Sequence, residues 1–524
     1  MPIYDVDGGP LFVYYNQRTV DQVDYLLSKR LEKYYSGLSE SERNVENVLF
    51  FCFRWCSKKM LELLHAQTQV NFFQAIFLLH EISCPYTEIH PGISPVPAIG
   101  NLDFGIYRRV LKLCLEQACD LDLKDTDPFS LSYLEVIEPV LGELIYLGSL
   151  ANQFSAYLAE EKLSKESFLF SFEKGRYKIQ RSQSSELRAF QMLSYIKNYK
   201  SDAYDKSALD NFVHAAKNCF EVEFDKVAAT IALVHEHHKD LGGRLVLIKW
   251  QAYPALLEQL FNIPFEKAAT FLRGLTLSKA NKLSLEESIY RTDSLSRYLY
   301  RPILLFNVNN EELALVGQEV FGQSIVSLCM QAFGWRKFPV EWKNTCFENF
   351  IEDLVKKNDK ILEDAIEAIL VQKSVLFDRN VRNLYRQNNR NQSIVSDPGQ
   401  IDFLFVYKDV LYVAESKHQM IRYDMTNFAH DSSNFKRAYN ENISKKVSFI
   451  KANLQEIKEN FQVKQKNLTL NINIVDVQGL FIVNTPTILM FENEFPVFGL
   501  PQLKRYLNAD LPLEKMIEID LNIR

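Results

Sequence analysis

Hydrophobic residues recur every three or four positions from about residue 19 to residue 277. Such spacing places apolar side chains on one face of a helix. No internal repeat of fixed period accompanies it, so nothing in the pattern supports a solenoid. Residues 1–298 are therefore predicted to form a predominantly helical region. Representative stretches are Val23, Leu26, Leu27 and Leu31, then Tyr107, Val110, Leu111 and Cys114.

The pattern changes near residue 300. Apolar runs at 301–306 and 313–316 flank an Asn-rich segment at 307–310, which is typical of a β-hairpin. A helix is predicted to follow at 320–333. We expect this hairpin and helix, residues 299–340, to bridge the helical region and a C-terminal domain.

Residues 341–524 alternate between helical and strand-like patterns. Helices are predicted at 342–357 and 360–369, and a long one at 434–459. Strands are predicted at 374–377, 401–407, 410–415 and 477–483. This order indicates an α/β domain with a mixed central sheet and helices on its faces. The expected fold class is thus a multidomain protein, a mostly α region followed by an α/β domain.

Composition limits the class of protein and the kind of nucleic-acid site that the chain could have. Hydrophobic residues make up 47% and charged residues 24% of 524 residues, as in folded proteins, and the net charge of -6 confines any nucleic-acid site to a local patch. The eight cysteines form no CxxC pair, which predicts reduced, buried thiols. The N-terminus lacks a signal-peptide pattern, and no apolar run is long enough to span a bilayer. We expect a cytoplasmic protein without membrane association.

One segment carries candidate chemistry. Asp402 opens a predicted strand, Lys408 and Asp409 form a two-residue turn, and Glu415 lies near the end of the returning strand. Antiparallel pairing brings the two carboxylates together, and Lys417, two residues after Glu415, leaves the same face of the sheet. Two carboxylates with a backbone carbonyl suit Mg²⁺ or Mn²⁺, and a lysine can orient or deprotonate water and neutralise developing charge. The alternative is an ordinary solvated sheet end.

This arrangement resembles the PD-(D/E)XK nuclease superfamily, whose hallmark is an acidic residue on one strand and Glu/Asp-x-Lys on its neighbour. The resemblance covers about residues 345–483 and implies a restriction-endonuclease-like domain at 341–524. It implies metal binding by Asp402, Glu415 and the Ser416 backbone carbonyl, with catalysis involving Lys417. Gln400 stands where the pattern often has an acid, which leaves Asp402 as the ligand on its strand.

Members of this superfamily often carry a further Glu on the preceding helix, just after an aromatic residue. Glu348, which follows Phe347, fits and joins the candidate catalytic set as an additional metal ligand. Glu352, one turn later, is the rival. A solvated helix face is the alternative for both.

Two basic groups are candidates for nucleic-acid binding. The first surrounds Tyr385 and lacks acidic residues between its first and last members; the second lies on the long helix. The alternatives are a solvated loop and a solvated helix face. The candidates are Arg379, Arg382, Arg386 and Arg390 in the first group and Lys445 and Lys446 in the second.

The leading hypothesis is a metal-dependent endonuclease that cuts DNA and acts as a prokaryotic restriction or anti-phage effector. An RNA-directed nuclease is one alternative. Another is a regulatory protein whose nuclease-like domain binds nucleic acid or a partner without cutting. Under the leading hypothesis the helical region, residues 1–298, would have a recognition or regulatory role and would supply a surface for a protein partner or a second copy of the chain.

Overall fold

The chain forms two compact units, Met1–Ser182 with Ser207–Glu352 and Gln183–Lys206 with Asp353–Arg524. The computed structural model describes residues 3–5, 11–84, 104–125, 132–183, 185, 207–237, 246–385, 398–420, 425–490 and 493–508. The second unit therefore resumes at Asp353, some way after the boundary expected at residue 341.

The first unit is mainly helical, as the apolar spacing predicted. Its first long helix begins after Asn16, whose side chain accepts the Thr19 N–H at 2.9 Å and satisfies one unpaired donor of the first turn. Among the described residues, no helix is long and apolar enough to cross a membrane. The helices of this unit are α1 (Gln17–Ser36), α2 (Val45–His65), α3 (Val70–Ser83), α4 (Phe104–Ala118), α5 (Tyr133–Leu163), α6 (Ala208–Phe220), α7 (Phe224–His237), α8 (Ala252–Phe261), α9 (Phe265–Gly274), α10 (Leu285–Tyr290) and α11 (Gln318–Gln331), with 3₁₀ turns at Glu40–Glu42, Phe333–Trp335 and Val340–Trp342.

The hairpin expected to bridge two domains is part of the first unit. Its turn residues Asn309 and Asn310 have φ of 51° and 65°, as a two-residue hairpin turn requires. The bridge prediction for 299–340 is wrong, because the first hairpin strand also pairs with two short strands and the second strand with a third. The strands of this unit are β1 (Ile3–Asp5), β2 (Leu11–Val13), β3 (Asp122–Leu123), β4 (Phe168–Glu173), β5 (Arg176–Arg181), β6 (Leu247–Lys249), β7 (Thr276–Leu277), β8 (Ile303–Val308) and β9 (Glu311–Val316).

Two of the eight cysteines form a disulfide, so the prediction of free thiols is wrong for Cys219 and Cys346. Their Cα atoms lie 5.4 Å apart although 127 positions separate them in sequence. Phe220 and Phe347, the residues that follow the two cysteines, pack with ring centroids 5.4 Å apart. The other six cysteines are buried thiols.

A single helix, α12 (Thr345–Gln372), replaces the two helices predicted at 342–357 and 360–369 and leads into the second unit. The sheet of the second unit has the order β10-β11-β12-β13-β14, with β10, β11 and β12 antiparallel and β12, β13 and β14 parallel. Its strands are β10 (Leu376–Val381), β11 (Ile401–Tyr407), β12 (Val410–Lys417), β13 (Asp476–Val483) and β14 (Val497–Gly499). Its further helices are α13 (Met425–Asn434), a π-helical turn (Phe435–Tyr439), α14 (Asn440–Ala452), α15 (Leu454–Lys464) and α16 (Leu500–Tyr506), with a 3₁₀ turn at Ile488–Met490.

Each face of this five-stranded sheet is covered by helices. One face, which includes Phe403 and Ala414, packs against the apolar side chains of α12 and α16. On the other face α14 packs against β12 and β13, and its residues Ile443 and Ile450 are fully buried. Because side chains alternate along a strand, neighbours of Phe403 and Ala414 face α14.

Candidate active site

The candidate carboxylates lie on adjacent strands at the same level of the sheet. The pairing of β11 with β12 runs from Tyr407 and Val410 to Phe403 and Ala414. Continuing this register by one position puts Asp402 opposite Glu415, both on the face covered by α14. Opposite side chains of an antiparallel pair have Cβ atoms about 5 Å apart. The structure thus brings together the two residues that the sequence pattern paired.

The Asp402 side chain accepts hydrogen bonds at the point where the pairing of β11 with β12 ends. Its Oδ2 accepts the main-chain N–H of Ser416 at 2.9 Å and the hydroxyl of the same residue at 3.1 Å. Burial raises the pKa of Asp402 above its ordinary value, and the nearby charge of Glu415 raises it further. A carboxylate whose pKa is raised by a neighbouring carboxylate favours a cation beside it.

Glu415 is held by two lysines. Its side chain is buried, and its Oε2 accepts from Lys417 Nζ at 3.1 Å while its Oε1 accepts from Lys446 Nζ at 2.5 Å. Lys446 Nζ also donates to the main-chain oxygen of Gln400 at 2.5 Å, just before Asp402. The site therefore contains two carboxylates and two ammonium groups.

Lys417 remains charged in this environment. Burial alone would lower its pKa, but the carboxylates of Glu415 and Asp402 outweigh burial and raise the pKa above its ordinary value. Its Nζ lies 5.4 Å from the ring centroid of Tyr439, at the end of the π-helical turn. Since π-helical turns often occur at functional sites, this one gives independent support for the location. A protonated Lys417 fits charge stabilisation better than proton abstraction.

Carboxylate and carbonyl oxygens are the ligand types that a hard divalent cation prefers, but the site offers few of them. Among the residues that the structure describes, no three His, Cys, Asp or Glu side chains converge to hold a metal. Asp402 and Glu415 supply two carboxylates. The Ser416 carbonyl remains the third expected ligand; the Ser416 N–H and hydroxyl both donate to Asp402. Mg²⁺ keeps several waters and binds proteins through few carboxylates, so two are compatible with it.

Glu348 belongs to the first unit, whereas Asp402, Glu415 and Lys417 belong to the second. It is half-buried in the first turn of α12, beside Phe347, which packs on Trp342 with ring centroids 5.5 Å apart. Glu352, the rival, forms a 2.7 Å ion pair with Arg336. The part of α12 in the second unit packs on the sheet face that does not carry Asp402 and Glu415. This packing gives no support to a metal ligand from α12.

Arg379 lies in an acidic environment that sequence reasoning missed. Its guanidinium contacts Glu363, Asp364 and Glu367 of α12 at 2.6–2.7 Å. Residues 379–390 contain no Asp or Glu, but the preceding helix supplies three carboxylates. The prediction that Arg379 binds phosphate is not supported, because its charge is already compensated.

Arg382 lies at the rim of the candidate site. Its Nε donates to Gln400 Oε1 at 2.7 Å, and Gln400 Nε2 donates to Asn380 Oδ1 at 2.6 Å. Arg382 is exposed and therefore stays a candidate for phosphate contact. Arg386 and Arg390 lie outside the described residues.

The two lysines proposed together on the long helix have different environments. Lys445 is exposed and pairs with Glu441 at 2.7 Å, as a solvated helix face would. Lys446 is buried at the site. One sequence signal could have separated them, since Lys446 falls within the apolar stripe of Ile443, Val447 and Ile450.

No protein-family model, curated protein or solved structure matches this chain. Support for a function therefore comes from the site geometry and from the motif alone.

Proposed function

We propose that this chain is a metal-dependent phosphodiesterase of the PD-(D/E)XK type, acting as an endonuclease. The observation that carries the proposal is the position of Asp402 opposite Glu415, with Lys417 on the same sheet face and bonded to Glu415. The order of helix, three antiparallel strands, helix and parallel strand in the second unit supports this proposal.

Hydrolysis would proceed by attack of water on phosphorus. The water oxygen forms a new P–O bond, the bond to the leaving alkoxide breaks, the water loses a proton and the leaving oxygen gains one. Mg²⁺ or Mn²⁺ held by Asp402, Glu415 and the Ser416 carbonyl would polarise the phosphoryl oxygen and lower the pKa of bound water. Lys417 stabilises the charge that develops on the phosphate and orients the attacking water.

DNA is the proposed substrate, and a prokaryotic restriction or anti-phage role the proposed setting; both rest on the resemblance of the motif. One observation favours a second candidate, a domain that binds nucleic acid or a partner without cutting. Both carboxylate oxygens of Glu415 are engaged by lysines, so a metal has to displace or share one of these contacts.

Cleavage assays separate these candidates. The full chain is incubated with plasmid, linear duplex, single-stranded DNA and RNA, with Mg²⁺, Mn²⁺ or EDTA. We expect metal-dependent cutting that falls at least about a hundredfold in Asp402→Asn and in Lys417→Ala. Lys451→Ala, which removes an exposed lysine of α14, is the control and should cut normally.

Cutting that persists in both site variants would show that the proposed centre is not the active one. No cutting of any substrate, together with metal-independent binding of nucleic acid, would favour the non-cutting candidate. A thermal-shift series gives a second readout, because a ligand that binds only the folded state raises Tm. Millimolar Mn²⁺ should raise the Tm of the wild type but not of Asp402→Asn.

A further inference from the structure

Lys446 occupies an unusual position for a lysine. It lies on the buried side of α14, among Ile443, Val447 and Ile450, and is only 7% exposed. Burying an ammonium group without a partner is strongly unfavourable, so its place depends on Glu415 and on the Gln400 carbonyl. An apolar residue at this position would fill the same stripe without that requirement. The lysine is therefore tied to the carboxylate rather than to helix packing.

We propose that Lys446 is a fixed internal cation of the site, which positions Glu415 and limits the centre to one divalent ion. This inference rests on the proposed function. By contacting both the start of β11 at Gln400 and the end of β12 at Glu415, the ammonium group holds the two carboxylate-bearing strands in register.

Charge balance supports a single ion. Two-metal centres hold their ions about 4 Å apart and need several carboxylates to offset four positive charges. Here the described residues offer no third acidic, His or Cys side chain, and the two carboxylates already face two ammonium groups. In this arrangement Lys446 takes the place that a second cation would have beside Glu415. Lys446 acts through Glu415 and is thus a positioning residue.

Metal binding is the readout that distinguishes this role from simple packing. A positive charge within a few ångströms of a divalent ion weakens its binding. Lys446→Met removes the charge, keeps an apolar stem and frees Oε1 of Glu415. We expect wild type to bind one Mn²⁺ per chain, and Lys446→Met to bind Mn²⁺ about tenfold more tightly or to accept a second ion. Loss of the register contact should also reduce cleavage.

The experiment is Mn²⁺ titration of the full chain by calorimetry and by electron paramagnetic resonance. Lys446→Arg keeps the charge and should stay within about threefold of wild-type affinity. Lys445→Met is the matched control on the neighbouring exposed position and should leave affinity unchanged. Should Lys446→Met fail to fold by circular dichroism, Lys446→Gln, which can still donate to the Gln400 carbonyl, replaces it.

Each result of the titration either supports or contradicts the role proposed for Lys446. Two Mn²⁺ ions per wild-type chain, or unchanged affinity in a folded neutral variant, would overturn the role of Lys446 and leave the proposed nuclease intact. No Mn²⁺ binding by wild type would overturn the proposed metal-dependent function, and with it this inference. One ion in wild type with tighter binding in the neutral variant, and not in Lys446→Arg, supports it.

Discussion

At the residue scale, the two arginines that begin the basic stretch differ in what they contact. Arg379 is 19% exposed and bonded to three carboxylates, whereas Arg382 is exposed and bonded to the Gln400 side chain. Identical residues three positions apart are therefore expected to respond differently to the same substitution.

Arg379→Met should destabilise the protein by about 2 kcal/mol, because it leaves three carboxylates close together without their cation. Arg382→Met should change stability by less than about 0.5 kcal/mol, since it removes one exposed contact. Denaturant unfolding of both variants checks this. Equal effects would contradict the ion cluster. Under the proposed function, Arg382→Met weakens nucleic-acid binding.

Glu81 is a buried carboxylate that caps α11. It accepts the N–H groups of Glu319 and Val320 at 3.2 and 3.1 Å, and a Cβ added to Gly317 would lie within 1.8 Å of its Oε1. Burial raises the pKa of Glu81 from 4.5 to about 7. Its folded form thus holds the proton more tightly than its unfolded form. The resulting stability is fully present below about pH 4.5 and is lost as the pH rises through about 7.

Glu81→Gln should remove that pH dependence. Between pH 5 and pH 8 the wild type should lose up to about 3 kcal/mol more stability than the variant, since one pKa unit corresponds to about 1.4 kcal/mol. Thermal unfolding of both proteins at several pH values measures the difference, and other titrating groups cancel in the comparison. Parallel pH profiles would show that Glu81 keeps an ordinary pKa.

Sequence reasoning paired Asp402, Glu415 and Lys417 because they depend on local rules, the two-residue turn and the alternation of side chains along β12. Partners contributed from distant segments were not accessible in this way. Lys446 reaches Glu415 from the crossover helix, and the carboxylates around Arg379 come from α12. Periodicity assigns such residues to a face but does not say which side chain lies across from them.

At the element scale, the turn between β11 and β12 holds two non-glycine residues in a strained backbone conformation. Lys408 and Asp409 have φ of 49° and 61°, in the left-handed region that favours glycine or asparagine. The turn nevertheless sets the register that aligns the two carboxylates. Strong apolar pairing in both strands compensates for an unfavourable turn sequence.

Asp409→Gly should therefore stabilise the protein by about 0.5–1 kcal/mol. The main-chain oxygen of residue 409 still accepts the Val475 N–H, so that contact is retained. Lys408→Ile, which puts a β-branched residue at positive φ, should destabilise by a similar amount. Denaturant midpoints test both, and the same sign for both would rule out backbone strain as the cause.

Element prediction succeeded where the pattern was long or alternating. The strand at 401–407 matches β11, and the last predicted strand differs from β13 by one residue. The prediction split α12 in two near Asn358, a polar residue that is buried within the continuous helix. The three-residue strand β14 is too short to show a period of two.

At the scale of the whole molecule, the domain boundary was misplaced because tertiary pairing outweighs sequence order. The partners of the 299–340 hairpin in the first unit are strands of two or three residues, which leave no recognisable pattern. A hairpin with strong local signals therefore appeared independent, although it lies at the centre of a sheet.

The disulfide between Cys219 and Cys346 closes a long loop of the first unit. Cross-links of this kind stabilise by about 2–4 kcal/mol, chiefly by restricting the unfolded chain. Reduction should lower Tm, and the Cys219→Ser/Cys346→Ser variant should not respond to reductant. Alkylation of the unfolded, unreduced protein should label the six other cysteines only. Labelling of all eight would show that the bond does not form.

The parallel pairing of β12 with β13 has a consequence for synthesis on the ribosome. The hairpin of β11 and β12 emerges first, while α14 and β13 are still untranslated. Until Asp476–Val483 arrives, the apolar edge of β12 has no neighbour. The Glu415 carboxylate likewise lacks Lys446 until α14 is made. An open apolar strand edge is prone to wrong pairing. Slowed elongation after residue 417 is therefore expected to lower the yield of folded protein more than the same pause after residue 483.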